Sequence, residues 1–293
     1  MNIQNYVRTD LAAESPVIEN NLFTDGITVS ENELDIASIS TVEIINTNGE
    51  KAIGKPIGTY VTISFDKIWK LDDITQKRLS YIVCENVKKL ANIKNEKLNI
   101  LICGLGNRHI TSDAVGPLVI KDITATSHLE KADVELFKLL NSHSVSAISP
   151  GVVGQTGIET INLIKGAVSS VKPNILIVVD ALCSKSVDRL ASTIQICDTG
   201  ISPGSGIGNK RHAINKETVG IPVIAIGVPT MVSSSTLVYE ALQKAEITNI
   251  SDKLTEILEN GKSFFVTLNE NDVVISSLAS LIASALNSAL TLE

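Results

Sequence analysis

The chain has few aromatic side chains, few cysteines and no long apolar runs, and each shortage removes a class of explanation. Aromatics are 3% of its 293 residues, so a core has to be built from Ile, Val, Leu and Ala. The four cysteines, Cys84, Cys103, Cys183 and Cys197, form no CxxC pair. Each lies in or just after an apolar run, the setting of a buried reduced thiol. No stretch reaches the roughly 18–20 apolar residues of a membrane span. The first ten residues hold no apolar segment of the secretory type, so the expectation is a cytoplasmic protein with no membrane partner. On that expectation the sequon at 249–251 carries no sugar. Basic residues are also in deficit: the net charge of −7 argues against a sequence-independent grip on nucleic acid, though not against acting on a DNA-bound protein. The four histidines show neither HxxxH nor HExxH spacing, and no GxSxG elbow is present.

What is present is an ordinary globular composition, 44% hydrophobic and 19% charged, with two aspartates placed where apolar strands run out. One closes Leu101-Ile-Cys-Gly-Leu-Gly-Asn-Arg-His-Ile-Thr-Ser-Asp113, and the other ends Ile175-Leu-Ile-Val-Val-Asp180. Open α/β sheets bind ligands outside the carboxyl ends of their strands, so two such carboxylates can converge on one crevice. Close carboxylates share a proton, which lets one act as base and the other as acid.

Residues 1–26 read as irregular. Alternation around 41–46 and 59–65, with Asn46-Thr-Asn-Gly-Glu50 and a Gly/Pro cluster between them, predicts antiparallel strands joined by turns. Asp72 or Asp73 caps a helix running to about Leu90. From residue 98 the pattern alternates, with strands near 98–103, 145–148, 174–180, 193–197 and 221–227. Helices fall near 113–127, 156–171, 233–247 and 274–290. The expected fold is α/β: a mostly parallel twisted sheet flanked by helices over residues 96–293, with a smaller β-rich portion at 11–95 packed on it.

Several motifs have a plain alternative. Gly104-Leu-Gly106 opens like a dinucleotide fingerprint, but Arg108 and His109 stand where its third glycine belongs, so a tight strand-to-helix turn is the better reading. Pro203-Gly-Ser-Gly-Ile-Gly-Asn-Lys210 lacks the Gly-Lys-Ser/Thr ending of a P-loop and reads better as a loop lining the crevice, through Gly204, Ser205, Gly206 and Gly208. Asp113 could simply complement a helix dipole, and Asp180 could cap the next segment or pair with Lys185 or Arg189. Cys183 is a conceivable nucleophile, but core packing is the stronger reading. His109 with the two aspartates could bind a divalent ion, but the expectation is no metal and no cofactor.

At these residues the sequence resembles the germination protease family of spore-forming bacteria. The resemblance runs from Val7-Arg-Thr-Asp-Leu-Ala12 through Gly54-Lys-Pro56, Gly104-Leu-Gly-Asn107 and Thr111-Ser-Asp-Ala114. It continues through Ser146-Ala-Ile-Ser-Pro-Gly151, Gly154-Gln-Thr-Gly-Ile-Glu-Thr160, Asp180-Ala181, residues 192–200 and Pro203-Gly-Ser-Gly-Ile-Gly-Asn-Lys-Arg211, to residues 220–230. The stretch between Ala125 and Ser142, the segment after Thr230 and the C-terminal helix depart from it. The resemblance implies a fold similar to hydrogenase-maturation proteases and an endopeptidase that degrades small acid-soluble spore proteins during germination in the spore core. It implies a homotetramer made as a zymogen, with Asp113 and Asp180 as the catalytic pair. Thr-Asp-Leu-Ala also looks like the family's own substrate sites, so the expected processing bond is Asp10–Leu11, with residues 1–10 as propeptide. A metal-dependent peptidase of the hydrogenase-maturation type and a relative that binds spore proteins without cutting them remain as alternatives.

Overall fold

Strand pairing in the computed structural model joins both halves of the chain into one sheet. The structure describes residues 9–20, 25–94, 96–205, 211–247, 251–260 and 264–292. The strands are β1 Ile27–Glu33, β2 Ala37–Ile44, β3 Gly58–Phe65, β4 Asn99–Gly104, β5 Ser144–Ile148, β6 Ile175–Ser184, β7 Thr193–Cys197, β8 Val223–Ser233 and β9 Phe265–Val266. They form a nine-stranded sheet in the order β1-β2-β3-β7-β8-β6-β4-β5, with β9 paired to β8. The four strands β8, β6, β4 and β5 run parallel. The 193–197 strand lies antiparallel to both β8 and β3, and so carries the N-terminal strands onto the edge of the α/β sheet.

Side-chain alternation divides the core in two. Ile100, Ile102, Ile175, Ile177 and Val179 face the helices Asp73–Ala91, Val115–Lys121 and Asn271–Ala289, while Leu101, Cys103, Leu176 and Val178 face the helix Thr160–Val171. Ile175 through Val179 are at most 4% exposed, and each contributes roughly 1.5–3 kcal/mol on burial. The helix Asn271–Ala289 differs from the sequence expectation about membrane spans. Its 19 residues are long and apolar enough to cross a bilayer, yet 56% of its most apolar window is buried, much of it in the core shared with the Asp73–Ala91 and Val115–Lys121 helices.

Other boundaries moved for local reasons. Asp72 caps the Asp73–Ala91 helix by accepting from the Thr75 N–H, as its sequence suggests. The turn expected at 46–50 is instead a helix, Thr47–Ile53, capped by the Asn46 side chain and closed by Gly54 at φ 76°. The helix expected over 113–127 is shorter, Val115–Lys121, and is followed by the small helices Leu129–Ala132 and Val134–Leu140. Residues 9–20 are not irregular: Ala12–Glu14 form a buried 3₁₀ turn and Pro16–Glu19 a helical turn.

Candidate active site

The first aspartate is placed by glycine packing. A side chain at Gly104 would meet the Gly116 carbonyl at 2.2 Å, and one at Gly116 would meet the Leu105 carbonyl at 2.2 Å. Without side chains, the helix beginning at Val115 settles directly on the ends of β4 and β6. This close approach brings the 3₁₀ turn Thr111–Asp113 against β6 and β8. Gly106 adopts φ 108°, and a Cβ there would sit 2.0 Å from the Asp113 carbonyl oxygen. Asp113 Oδ2 accepts from the Asn107 N–H at 2.8 Å, and Asn107 Oδ1 in turn accepts from Gln155 Nε2 and the His109 N–H. Thr230, three residues before the end of β8, ties the same turn down by donating to the Ser112 carbonyl at 2.6 Å. The Gly-Leu-Gly-Asn motif thus holds a carboxylate in place. Gly106→Ala is expected to cost about 1–3 kcal/mol and to displace Asp113, which thermal unfolding and activity together measure.

Asp180 lies within β6, not at its end. The strand continues to Ser184, with a register irregularity against β8 between Leu182 and Cys183. The neighbouring β4 pairs only as far as Gly104 opposite Val179, so Asp180 stands one residue beyond the point where β4 stops. Strand order runs outward from this point to β5 on one side and to β6 and β8 on the other, the crevice where α/β sheets bind ligands. Asp113 and Asp180 line the same cleft of about 100 Å³, together with Gly106, Gly204 and Arg211. Asp180 is 6% exposed and Asp113 half-buried. Burial first, then the charge of Asp113, holds the Asp180 carboxyl well above the usual carboxylate range, with Asp10 adding to this and Arg211 opposing it. Burial also raises Asp113, but the Asn107 N–H and Arg211 pull it back. The site therefore holds a buried carboxyl that favours its proton beside a half-buried one better able to ionise, the requirement for paired acid–base chemistry.

A third carboxylate enters the cleft from the N-terminus. The Asp10 N–H donates to the Cys183 carbonyl at 2.9 Å, and Asp10 Oδ2 accepts from the Cys183 N–H at 3.0 Å. Asp10 Oδ1 accepts from Ser205 Oγ at 2.6 Å. Its carbonyl accepts from Gln195 Nε2, whose Oε1 accepts from the Ala12 N–H. Leu11 is 1% exposed, so the bond expected to be cut lies in a docked segment, not a loose one. Burial of Leu11, and of Ala12 in the cluster with Val42, Ile44 and Tyr60, explains why a polar stretch is held down.

Of the glycine-rich loop, Gly204 lines the cleft and Ser205 contacts Asp10, while Gly206 and Gly208 lie outside the described residues. Lys185 and Arg189 pair with Glu19 and Glu14, not with Asp180. Cys183 joins the cleft chiefly through its backbone, its thiol being buried. His109 is exposed and does not line the cleft. Among the described residues, no group of three or more His, Cys, Asp or Glu side chains is placed to hold a metal. Sequence reasoning missed Arg211, Gln195 and Glu14. Only their long-range contacts mark them.

The germination protease family model matches residues 7–245. The chain belongs to the germination protease family. A germination protease of Caldanaerobacter subterraneus subsp. tengcongensis is 38% identical over 97% of this chain and 94% of its own length. One from Clostridium perfringens is 41% identical over 91% of this chain and 81% of its own. A [NiFe] hydrogenase maturation protease, HycI, from Thermococcus kodakarensis matches 70% of this chain and 98% of its own at a TM-score of 0.38 and 18% identity, a likeness too distant to bear on function. Membership makes the chain a peptide hydrolase.

Proposed function

We propose that the protein is an endopeptidase of small acid-soluble spore proteins, made in the forespore as a self-processing zymogen, that hydrolyses peptide bonds with Asp113 and Asp180. The observation that carries this reading is the convergence of the two carboxyls on one cleft, one buried and the other half-buried. Asp113, in its ionised form, takes a proton from the attacking water. Asp180, protonated, polarises the scissile carbonyl through a hydrogen bond and then gives its proton to the departing amine. The two titrate as a coupled pair.

Asp10 supports the zymogen part of the reading. Its carboxylate fills part of the cleft and adds negative charge beside the pair. Excision of residues 1–10 would empty that position and leave Leu11 as the new terminus. Because the Asp10 carbonyl is held by Gln195 and Leu11 is buried, the segment must first leave this cradle for its own bond to be cut. Release of the segment under mildly acidic conditions is the step that this reading requires.

The test is incubation of the purified full-length chain at mildly acidic pH, with N-terminal sequencing, followed by addition of a small acid-soluble spore protein and mass spectrometry of the products. The expected result is a new N-terminus at Leu11 and internal cuts in the spore protein. Persistence of the intact chain, or processing of Asp180→Asn at the wild-type rate, defeats the self-processing claim. A processed protein that binds the spore protein and never cuts it defeats the endopeptidase claim.

A further inference from the structure

The pair and the docked Asp10 account for the acidic side of the cleft and leave its one basic group unexplained. Arg211 lines the same roughly 100 Å³ space as Asp10, Asp113 and Asp180, and it is the only cationic side chain among the described residues that line it. It follows the glycine-rich stretch directly in sequence and shares the cleft with the strand residue Asp180. It also lies within electrostatic range of both catalytic carboxyls, favouring their ionised forms.

The use of that charge is decided by what it does not contact. An arginine that serves to neutralise a carboxylate closes a fork-to-fork pair at hydrogen-bond distance. Among the described residues, no ion pair within 4.0 Å joins Arg211 to Asp10, Asp113 or Asp180, whereas the arginines at 78 and 189 do close such contacts with Asp35 and Glu14. The guanidinium is half-buried and lines the same space as the two carboxyls without closing an ion pair to either.

That space is where a peptide carbonyl must lie to be attacked by a water held at Asp113. As the water oxygen bonds to the carbonyl carbon, its proton passes to Asp113 and the π electron pair of the carbonyl moves onto oxygen. Negative charge then develops in a cleft already crowded with carboxylates, where it is costly unless a preorganised donor meets it. We propose that Arg211 is a catalytic residue whose guanidinium N–H groups bind the scissile carbonyl and stabilise the oxyanion formed when water adds. On collapse the carbonyl re-forms, the carbon–nitrogen bond breaks, and the amine leaves with the Asp180 proton; exchange with solvent then returns the proton from Asp113. This assignment rests on the paired-aspartate reading above. It adds a division of labour, with Asp180 supplying the proton and Arg211 the charge.

The planar fork and the charge can be separated experimentally, because lysine keeps the charge and lacks the fork. Wild type, Arg211→Ala, Arg211→Lys and Asp180→Asn, each with residues 1–10 removed by a site-specific protease, are compared for kcat and KM on a purified small acid-soluble spore protein across pH, with and without added guanidinium ion. Arg211→Ala is expected to lose about 10²–10³-fold in kcat, the range for removing an oxyanion donor, with KM little changed. Arg211→Lys regains only part of it. Guanidinium ion restores activity to Arg211→Ala and not to Asp180→Asn. The acidic limb of the pH profile moves to higher pH in Arg211→Ala, because the charge that favours ionised Asp113 is gone. Circular dichroism checks that the variants fold, and if Arg211→Ala does not fold, the same comparison is made with Arg211→Gln. An unchanged kcat, a loss confined to KM, or the absence of rescue by guanidinium overturns the assignment. Full activity in Asp180→Asn instead overturns the paired-aspartate reading, while the guanidinium rescue still reports on Arg211 by itself.

Discussion

Asp180→Asn removes peptide hydrolysis by at least about 10²-fold and at the same time stabilises the folded protein at neutral and higher pH. The loss follows from the carboxyl's position: it is 6% exposed, one residue past the end of β4, and asparagine can neither give nor recover a proton there. The gain follows from the direction of its shift. Burial and the Asp113 charge raise the folded-state value above the ordinary one, so the folded form prefers the proton and the unfolded chain releases it more readily. Stability from Asp180 is complete at pH below its ordinary value and is lost as pH rises from there through the raised folded value. Asparagine resembles the protonated form and carries no such penalty. The difference in melting temperature between variant and wild type should thus grow on going from acidic to neutral pH. Asp113→Asn should lose activity by a similar factor with a smaller stability gain, because Asp113 is only half-buried and accepts from the Asn107 N–H. Near-normal cleavage by either variant excludes that residue from the chemistry; an equal melting shift at all pH values contradicts the origin assigned to the stability gain.

Glu14→Ala is expected to lower unfolding stability by about 3 kcal/mol and to free the N-terminal segment. Glu14 is 2% exposed and its carboxylate gathers the loop that follows β6. It accepts from Ser184 Oγ at 2.8 Å, the Lys185 N–H at 2.7 Å and the Ser186 N–H at 3.2 Å, and from Thr9 Oγ1, with Arg189 Nε at 3.4 Å. Alanine takes this acceptor from the Lys185 N–H and the Arg189 guanidinium, while Ser184 Oγ keeps the Ser186 carbonyl and the Ser186 N–H keeps Ser184 Oγ. The deprived donors can recover water only if residues 9–14 lift away, and that release limits the total cost. Urea unfolding measures the loss, and hydrogen exchange at residues 11–15 measures the release. Glu14→Gln, which keeps one acceptor oxygen and the shape, should fall between wild type and alanine. An unchanged urea midpoint with protected amides at 11–15 would show that apolar burial of Leu11 and Ala12 holds the segment without Glu14.

The two catalytic candidates were legible because their signals are local. Five apolar residues before Asp180, and the glycine-spaced turn before Asp113, are patterns that short-range sterics and strand periodicity write into neighbouring positions. The same holds for the Asp73–Ala91 helix, whose cap and apolar face lie within its own residues. The sequence by itself also implied the α/β alternation and, through many motifs in fixed order, the family. It did not show that β7 turns antiparallel and draws the N-terminal strands into the same sheet, because the β3–β7 register joins Tyr60 to Cys197 and no local pattern encodes that distance. Nor did it show where Asp10, Glu14 and Arg211 go. A glutamate or arginine reads as a solvated surface residue until the fold surrounds it with donors or carboxylates, and the Asp10 contact to Cys183 spans 173 positions. Local composition determined which groups could do chemistry, whereas the tertiary structure alone determined which of them share one cleft, since long-range contacts form only when the whole sheet has closed on its register.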